Sequence, residues 1–201
     1  MKKASLVLAL MLLAVCSGMG QYNETQDLEE AFDNVRLDGN IRLYLKQGTE
    51  ANVRIEAKNE RKFEDYQITV QNNTLYIRLR EKQRNGGTRK RHSAPKIKVY
   101  LTHPELKGID MEGLVSVKSI DPVSSDSFSV SGDGLIRGKI EVDVQELRVD
   151  LEGLCSMRFT GKADDSRIQL DGMGKINARD LETSKVHKSA VGLTSISFAK
   201  L

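Results

Sequence analysis

The chain has 201 residues, 39% hydrophobic and 29% charged, enough to bury one core of ordinary domain size. Its formal net charge of +3 falls to +1 when Lys2 and Lys3 are set aside with the leader described below, so the overall balance identifies no partner. With aromatics at 5%, no Trp, and Val, Ile and Leu spread in short alternating runs, the composition favours β-structure over helix bundles.

Lys2 and Lys3 precede the apolar run LVLALMLLAV, and Ser17, Gly18, Met19 and Gly20 follow it, the layout of a secretory signal peptide. Residues 1–20 are therefore read as a signal peptide and 21–201 as a single mature domain, cut ahead of Gln21. An alternative is acylation at Cys16 as a lipoprotein, weakened because Val15 is bulkier than the small residue usual before a lipid-bearing Cys. The apolar run is too short for a comfortable transmembrane helix, and no later segment approaches one. Loss of the leader leaves Cys155 alone, a small apolar core residue with no CxxC and no His/Cys cluster around it.

In the first half, NVRLDGNIRLYL, NVRIEAK, YQITVQ, TLYIRLR and KIKVYLTH read as strands, with QNNT turning between two of them. Their spacing is irregular, which predicts distorted turns of whatever stack they join. From Arg78 to Lys98 nine Lys or Arg face Glu81 alone, a local charge of +8. Within it, EKQRNGGTRKRHSAPK has no apolar periodicity and reads as an exposed loop. Such a tip is either merely solvated or a contact for polyanions such as acidic glycans, with Arg84, Arg89, Lys90 and Arg91 as the candidate residues.

The second half repeats. IDMEGLVSV, VSGDGLIRG, VDLEGLCSM, IQLDGMGKI and KSAVGLTSI align on Gly113, Gly134, Gly153, Gly172 and Gly192, at intervals of 21, 19, 19 and 20 residues. A period near twenty with apolar spacing of two, not three and four, describes the rungs of a parallel β-helix. Four and two residues before the glycine stand apolar residues such as Ile109, Met111, Val149, Leu151, Ile168 and Leu170, one face of a strand. Four and six after it, Val117, Met157, Phe159 and Ile176 form a second inward set. Immediately after it, Leu114, Leu135, Leu154, Met173 and Leu193 make an unbroken apolar column, expected to stack as an internal ladder. Val35, Leu37, Asp38 and Gly39 repeat the register faintly and predict an opening rung, while Lys188, where the sibling rungs carry Val or Ile, predicts an altered cap.

The run FDNVRLDGNIRLYLKQGTEANVRIEA, the later KIKVYLTHPELKGIDMEG and the glycine rungs together resemble the head GIN domain of auto-transporter adhesins, a bacterial domain family of unknown function. The resemblance covers roughly residues 30 to 201. It implies a right-handed parallel β-helix, or β-solenoid, exported to the cell envelope with an adhesive role, and it transfers no functional residue.

Four chemistries follow from the residues. SGDGLIRGKI, with Gly132, Gly134 and Gly138, imitates a nucleotide loop, but the third glycine falls one place late and strands follow in place of a helix, so no nucleotide is expected. Glu112, Asp133, Glu152 and Asp171 precede their glycines and should stack at one corner. Like charges at that spacing repel by about 1 kcal/mol per pair in water. Relief is expected from neighbouring cations, Lys118, Lys139, Arg158, Arg137 and Lys175, with a bridging Ca²⁺ as the less favoured alternative. A polysaccharide lyase or hydrolase is the third reading; the acidic column could pair carboxylates, yet no long loop builds a cleft over it and stacked aromatics are missing from the sequence pattern. His92, His103 and His187 are expected to be exposed. The fourth and leading reading is an exported, non-catalytic binding or structural module, needing no cofactor, found in the periplasm, on the outer membrane surface or outside the cell, with an acidic glycan or other envelope polyanion as partner.

Overall fold

In the computed structural model, which describes residues 22–27, 31–80 and 94–199, the chain is all-β apart from one helical turn. The strands are β1 (Tyr22–Asp27), β2 (Asn34–Gln47), β3 (Asn52–Ala57), β4 (Tyr66–Gln71), β5 (Thr74–Leu79), β6 (Ile97–His103), β7 (Gly108–Ser119) and β8 (Val123–Phe198), with α1 (Glu60–Phe63) between β3 and β4. Together they form one mixed eight-stranded sheet.

The branch point is β2. On one edge its first half pairs with β5 and its second half with β6; on the other its length pairs with β7, all in parallel. The expected opening rung is found: Val35, Leu37, Asp38 and Gly39 lie opposite Ile109, Met111, Glu112 and Gly113. β7 then pairs with the start of β8 in the repeat register, Gly113 opposite Gly134. The 76 residues of β8 fold back on themselves at glycines with positive φ. Gly153 lies against the Gly134 backbone, Gly172 against Gly153, and Gly192 against Gly172, so the corner glycines form one stack.

The remaining strands correct the expectation of distorted rungs. β1 on β3, β3 on β6, and β4 on β5 are antiparallel pairs. The cause for the last is local: Asn72 and Asn73, at φ 51° and 57°, make a two-residue turn of the kind that joins antiparallel strands only. Where β5 ends and β6 begins, Tyr66 fills the opening rung's corner. Its hydroxyl donates to the Pro95 carbonyl at 2.8 Å and accepts from the Asn40 N–H at 3.0 Å, and a Cβ on Gly39 would lie 2.7 Å from the same oxygen.

The core is one column system. Val35, Ile109, Val130, Val149 and Ile168 are buried, as are Leu37, Met111, Leu151 and Leu170, followed beyond the corner by Val115, Ile136 and Cys155, then Val117, Met157 and Ile176. Alternation therefore runs through the glycine without interruption, which places the residue immediately after it outside. The expected internal ladder is an external one: Leu114 is 45% exposed, Leu154 49%, Met173 48% and Leu193 79%. The space beside Gly132 and Gly138 is filled by side chains of their own rung and of its neighbours. A Cβ on Gly132 would meet the Met111 and Ile136 side chains at 3.3 Å, and one on Gly138 would meet Met157 Sδ at 3.2 Å. The final segment is thinner, with Val186, Ile196 and Phe198 only half-buried and Lys188 exposed.

Candidate functional site: two faces of opposite charge

Because alternation is continuous, the outward residues fall into two sets divided by the glycine corner and its apolar ladder. The face before the corner is acidic. Asp38, Glu112 and Asp133 stand in register, and the stacked glycines continue the column through Glu152 and Asp171. Two residues earlier come Asp110 and Asp150. Arg36 reaches into this face, with Nη1 2.8 Å from Asp110 and Nη2 3.6 Å from Glu112. Burial raises the Asp38 pKa, and the Glu112 charge adds to the shift.

The expected neutralisation of this column fails. Lys118, Lys139, Arg158, Arg137 and Lys175 all follow the glycine, so they stand across the corner from the acids. Among the described residues, Asp133, Glu152 and Asp171 have no cationic partner, and no group of three or more His, Cys, Asp or Glu converges as a metal cage would.

The face after the corner is basic, and it extends further than the repeat suggested. Register sets Lys98, Arg42, Ser116 and Arg137 side by side, and beside them Tyr100, Tyr44, Lys118 and Lys139. β3 continues both rows, Glu56 opposite Lys98 and Arg54 opposite Tyr100. Glu56 accepts from Lys98 Nζ at 3.0 Å and Arg54 Nη1 at 2.6 Å. Burial pushes the Glu56 carboxyl up, but these two cations outweigh it and hold it below its ordinary range. Arg158 pairs with Asp180, whereas Arg42, Lys118, Arg137, Lys139 and Lys175 have no carboxylate partner among the described residues.

Within this face the Tyr44 and Tyr100 rings stack, centroids 4.8 Å apart and planes 10° from parallel, with the Arg54 guanidinium 4.0 Å from the Tyr100 centroid. Stacked aromatics are thus present, against the sequence expectation. Their signal was there to be found: NIRLYLKQ and KIKVYLTH carry Tyr in the same phase, and parallel pairing of β2 with β6 turns that phase into contact.

Other expected residues fall as follows. Cys16, the leader, and the loop candidates Arg84, Arg89, Lys90 and Arg91 lie outside the described residues, as does His92. Cys155 is a free, buried core residue whose Sγ lies 3.3 Å from the Glu152 carbonyl, and burial pushes its thiol pKa up. His187 is exposed, but His103 is buried, with neither ring nitrogen hydrogen-bonded; burial brings its pKa down to about 4. No helix among the described residues is long and apolar enough to cross a membrane.

A family model described as "Putative auto-transporter adhesin, head GIN domain" matches residues 31–199. A "putative adhesin" from Bacteroides fragilis superposes with a TM-score of 0.73 at 18% identity, covering 89% of this chain and 96% of that one. A "putative adhesin" from Parabacteroides merdae gives 0.67 at 14%, covering 89% and 80%. A "putative lipid binding protein" from Parabacteroides distasonis gives 0.59 at 15%, covering 89% and 96%. At such identities the likeness is one of fold. No curated protein matches the chain.

Proposed function

This chain belongs to the head GIN domain family of auto-transporter adhesins, and from that premise we propose that it is an exported module that binds an acidic polymer of the cell envelope without turning it over. The observation that carries the proposal is the basic face, where Arg42, Lys118, Arg137, Lys139 and Lys175 stand together without carboxylate partners among the described residues. Unpaired like charges on one face are costly to hold together unless something opposite meets them, and a polyanion does so along its length.

The architecture proposed for the binder is a right-handed parallel β-helix, its opening rung flanked by antiparallel arms. The parallel register of β2, β7 and β8 and the glycine stack support it. The site of action is the periplasm, the outer membrane surface or the cell exterior, in keeping with the leader-like start and the family.

Retention on a panel of acidic and neutral glycans tests binding, and analysis of the same glycans for shorter products tests turnover. Retention on acidic members with intact glycan is the expected result. Shortened product would replace the binder with a polysaccharide-active enzyme. Fractionation of the native cell tests export, and recovery in the cytosol would overturn it.

A further inference from the structure

The basic face carries a spacing as well as a charge. Arg42 lies opposite Ser116 and Ser116 opposite Arg137; Tyr44 lies opposite Lys118 and Lys118 opposite Lys139. The glycine stack carries this register into β8 and sets Arg158 beside Lys139 and Lys175 beside Ser156. Five successive strand segments therefore each turn at least one cation to the same side, Arg42, Lys118, Arg137 with Lys139, Arg158, and Lys175, of which Arg158 alone among the described residues is already engaged, by Asp180. Neighbouring strands repeat every ~4.8 Å, an interval close to the length of one pyranose residue in an extended 1→4-linked chain.

We infer that this face binds a linear acidic polysaccharide laid across the strands, parallel to the glycine stack, with the acid groups that the screw of the chain turns to this side, about every second sugar, meeting cations about every second strand. The inference rests on the polymer-binding reading above and names its ligand class and direction. At the β3 end the row continues into Lys98, Arg54 and the Tyr44–Tyr100 pair, which lengthens the track beyond the repeat. Glu56 is already engaged there by Lys98 and Arg54, and Glu141 and Asp180 stand at the far border from the corner.

Two other anionic surfaces fit less well. The acidic face of a second copy has the same interval, but it carries Arg36 and Arg78 at one end and Arg148 and Arg167 at the other, so docking in either direction sets cation against cation. A lipid bilayer has anionic headgroups but no preferred axis. It would also have to approach the acidic column that borders the apolar ladder.

Binding is measured for polygalacturonate, with a carboxylate on every sugar, hyaluronan, with one on every second sugar, and dextran, with none, at equal carboxylate concentration for the first two. An acid group facing the protein about every second strand predicts that polygalacturonate binds about tenfold tighter than hyaluronan, whose carboxylates are half as frequent, since several modest surface pairs are gained. Replacing Lys118, Arg137 and Lys139 together with Ser should abolish that preference, and their replacement with Arg or Lys of unchanged charge should retain it. Circular dichroism confirms that each variant is folded. Absence of binding to any polyanion would sink the functional reading itself. Equal affinity for polygalacturonate and hyaluronan would overturn the spacing inference while leaving that reading standing. So would binding lost only in an Arg89→Ser, Lys90→Ser, Arg91→Ser variant, retention on phosphatidylglycerol vesicles but not on polygalacturonate, or acid-face-dependent self-association that consumes the basic face.

Discussion

Gly153 sits directly over Gly134 at the corner of the stack, where a methyl group on it would come 2.6 Å from the Gly134 carbonyl oxygen. Its φ of 93° is also one that side chains rarely adopt. Gly153→Ala should therefore destabilise the protein by about 2 kcal/mol or more, combining backbone strain with a clash that only movement of a whole rung relieves. Gly132→Ala should lose clearly less, because that glycine has no positive φ and its nearest contacts are at 3.1 to 3.3 Å. Denaturant unfolding of the two variants checks the order, and equal losses would refute the corner role.

The outward ladder makes a paired prediction. Leu151 is fully buried, and its replacement by Ala should cost about 2–5 kcal/mol, as for large-to-small changes in cores. Leu154, three residues on and 49% exposed, should tolerate Ser within about 0.5 kcal/mol. Comparable destabilisation by the two variants would return the ladder to the interior.

His103 should give stability a pH dependence of definite sign. Its pKa is about 4 in the fold, because burial disfavours the charged ring, against 6.5 for an ordinary imidazole. Between those values the unfolded chain binds a proton that the folded one does not, so stability rises with pH. The contribution is complete above pH 6.5, falls as pH drops towards 4, and amounts to about 3 kcal/mol across the window. His103→Leu should flatten that part of the profile in urea titrations between pH 4 and 7, and an unchanged slope would count against it.

The acidic column should respond to salt and not to calcium specifically. Asp133, Glu152 and Asp171 stand together without a cationic partner among the described residues, so added NaCl screens their repulsion and raises the melting temperature modestly. Millimolar Ca²⁺ should do no more than Mg²⁺ at equal ionic strength, in line with the lack of a converging cage among the described residues. A Ca²⁺-specific shift that disappears in Glu152→Gln would establish the bridging ion instead.

Much of the strand stack was legible because its signal is local and repeated. The glycine interval aligns the rungs, and period-two alternation identifies the interior columns at Ile109, Met111, Leu151 and Leu170. The faint copy at Val35 to Gly39 was legible too, although the sequence gap to Gly113 hid that the two rungs touch. Two differences have a single cause. Composition alone points the apolar column at Leu114 to Leu193 inward, and proximity in sequence makes the cations neighbours of the acids; strict alternation through the glycine contradicts the first and puts the corner across the second.

What the sequence determined by itself, then, is the set of strands from β2 onward, though not β1, their phase and the corner at which each rung turns, because those depend on side-chain alternation and on glycine's access to positive φ. Only the tertiary structure decided how the N-terminal strands pair with one another and with the repeat. Parallel pairing of β2 with β6 and β7 brought Tyr44 to Tyr100 and Arg42 into line with Arg137, and antiparallel pairing added Arg54. These are contacts between segments far apart in the chain, set by how backbone hydrogen bonds of a whole sheet are satisfied. No local pattern records that choice, and it is the choice that gathers the charges onto one face.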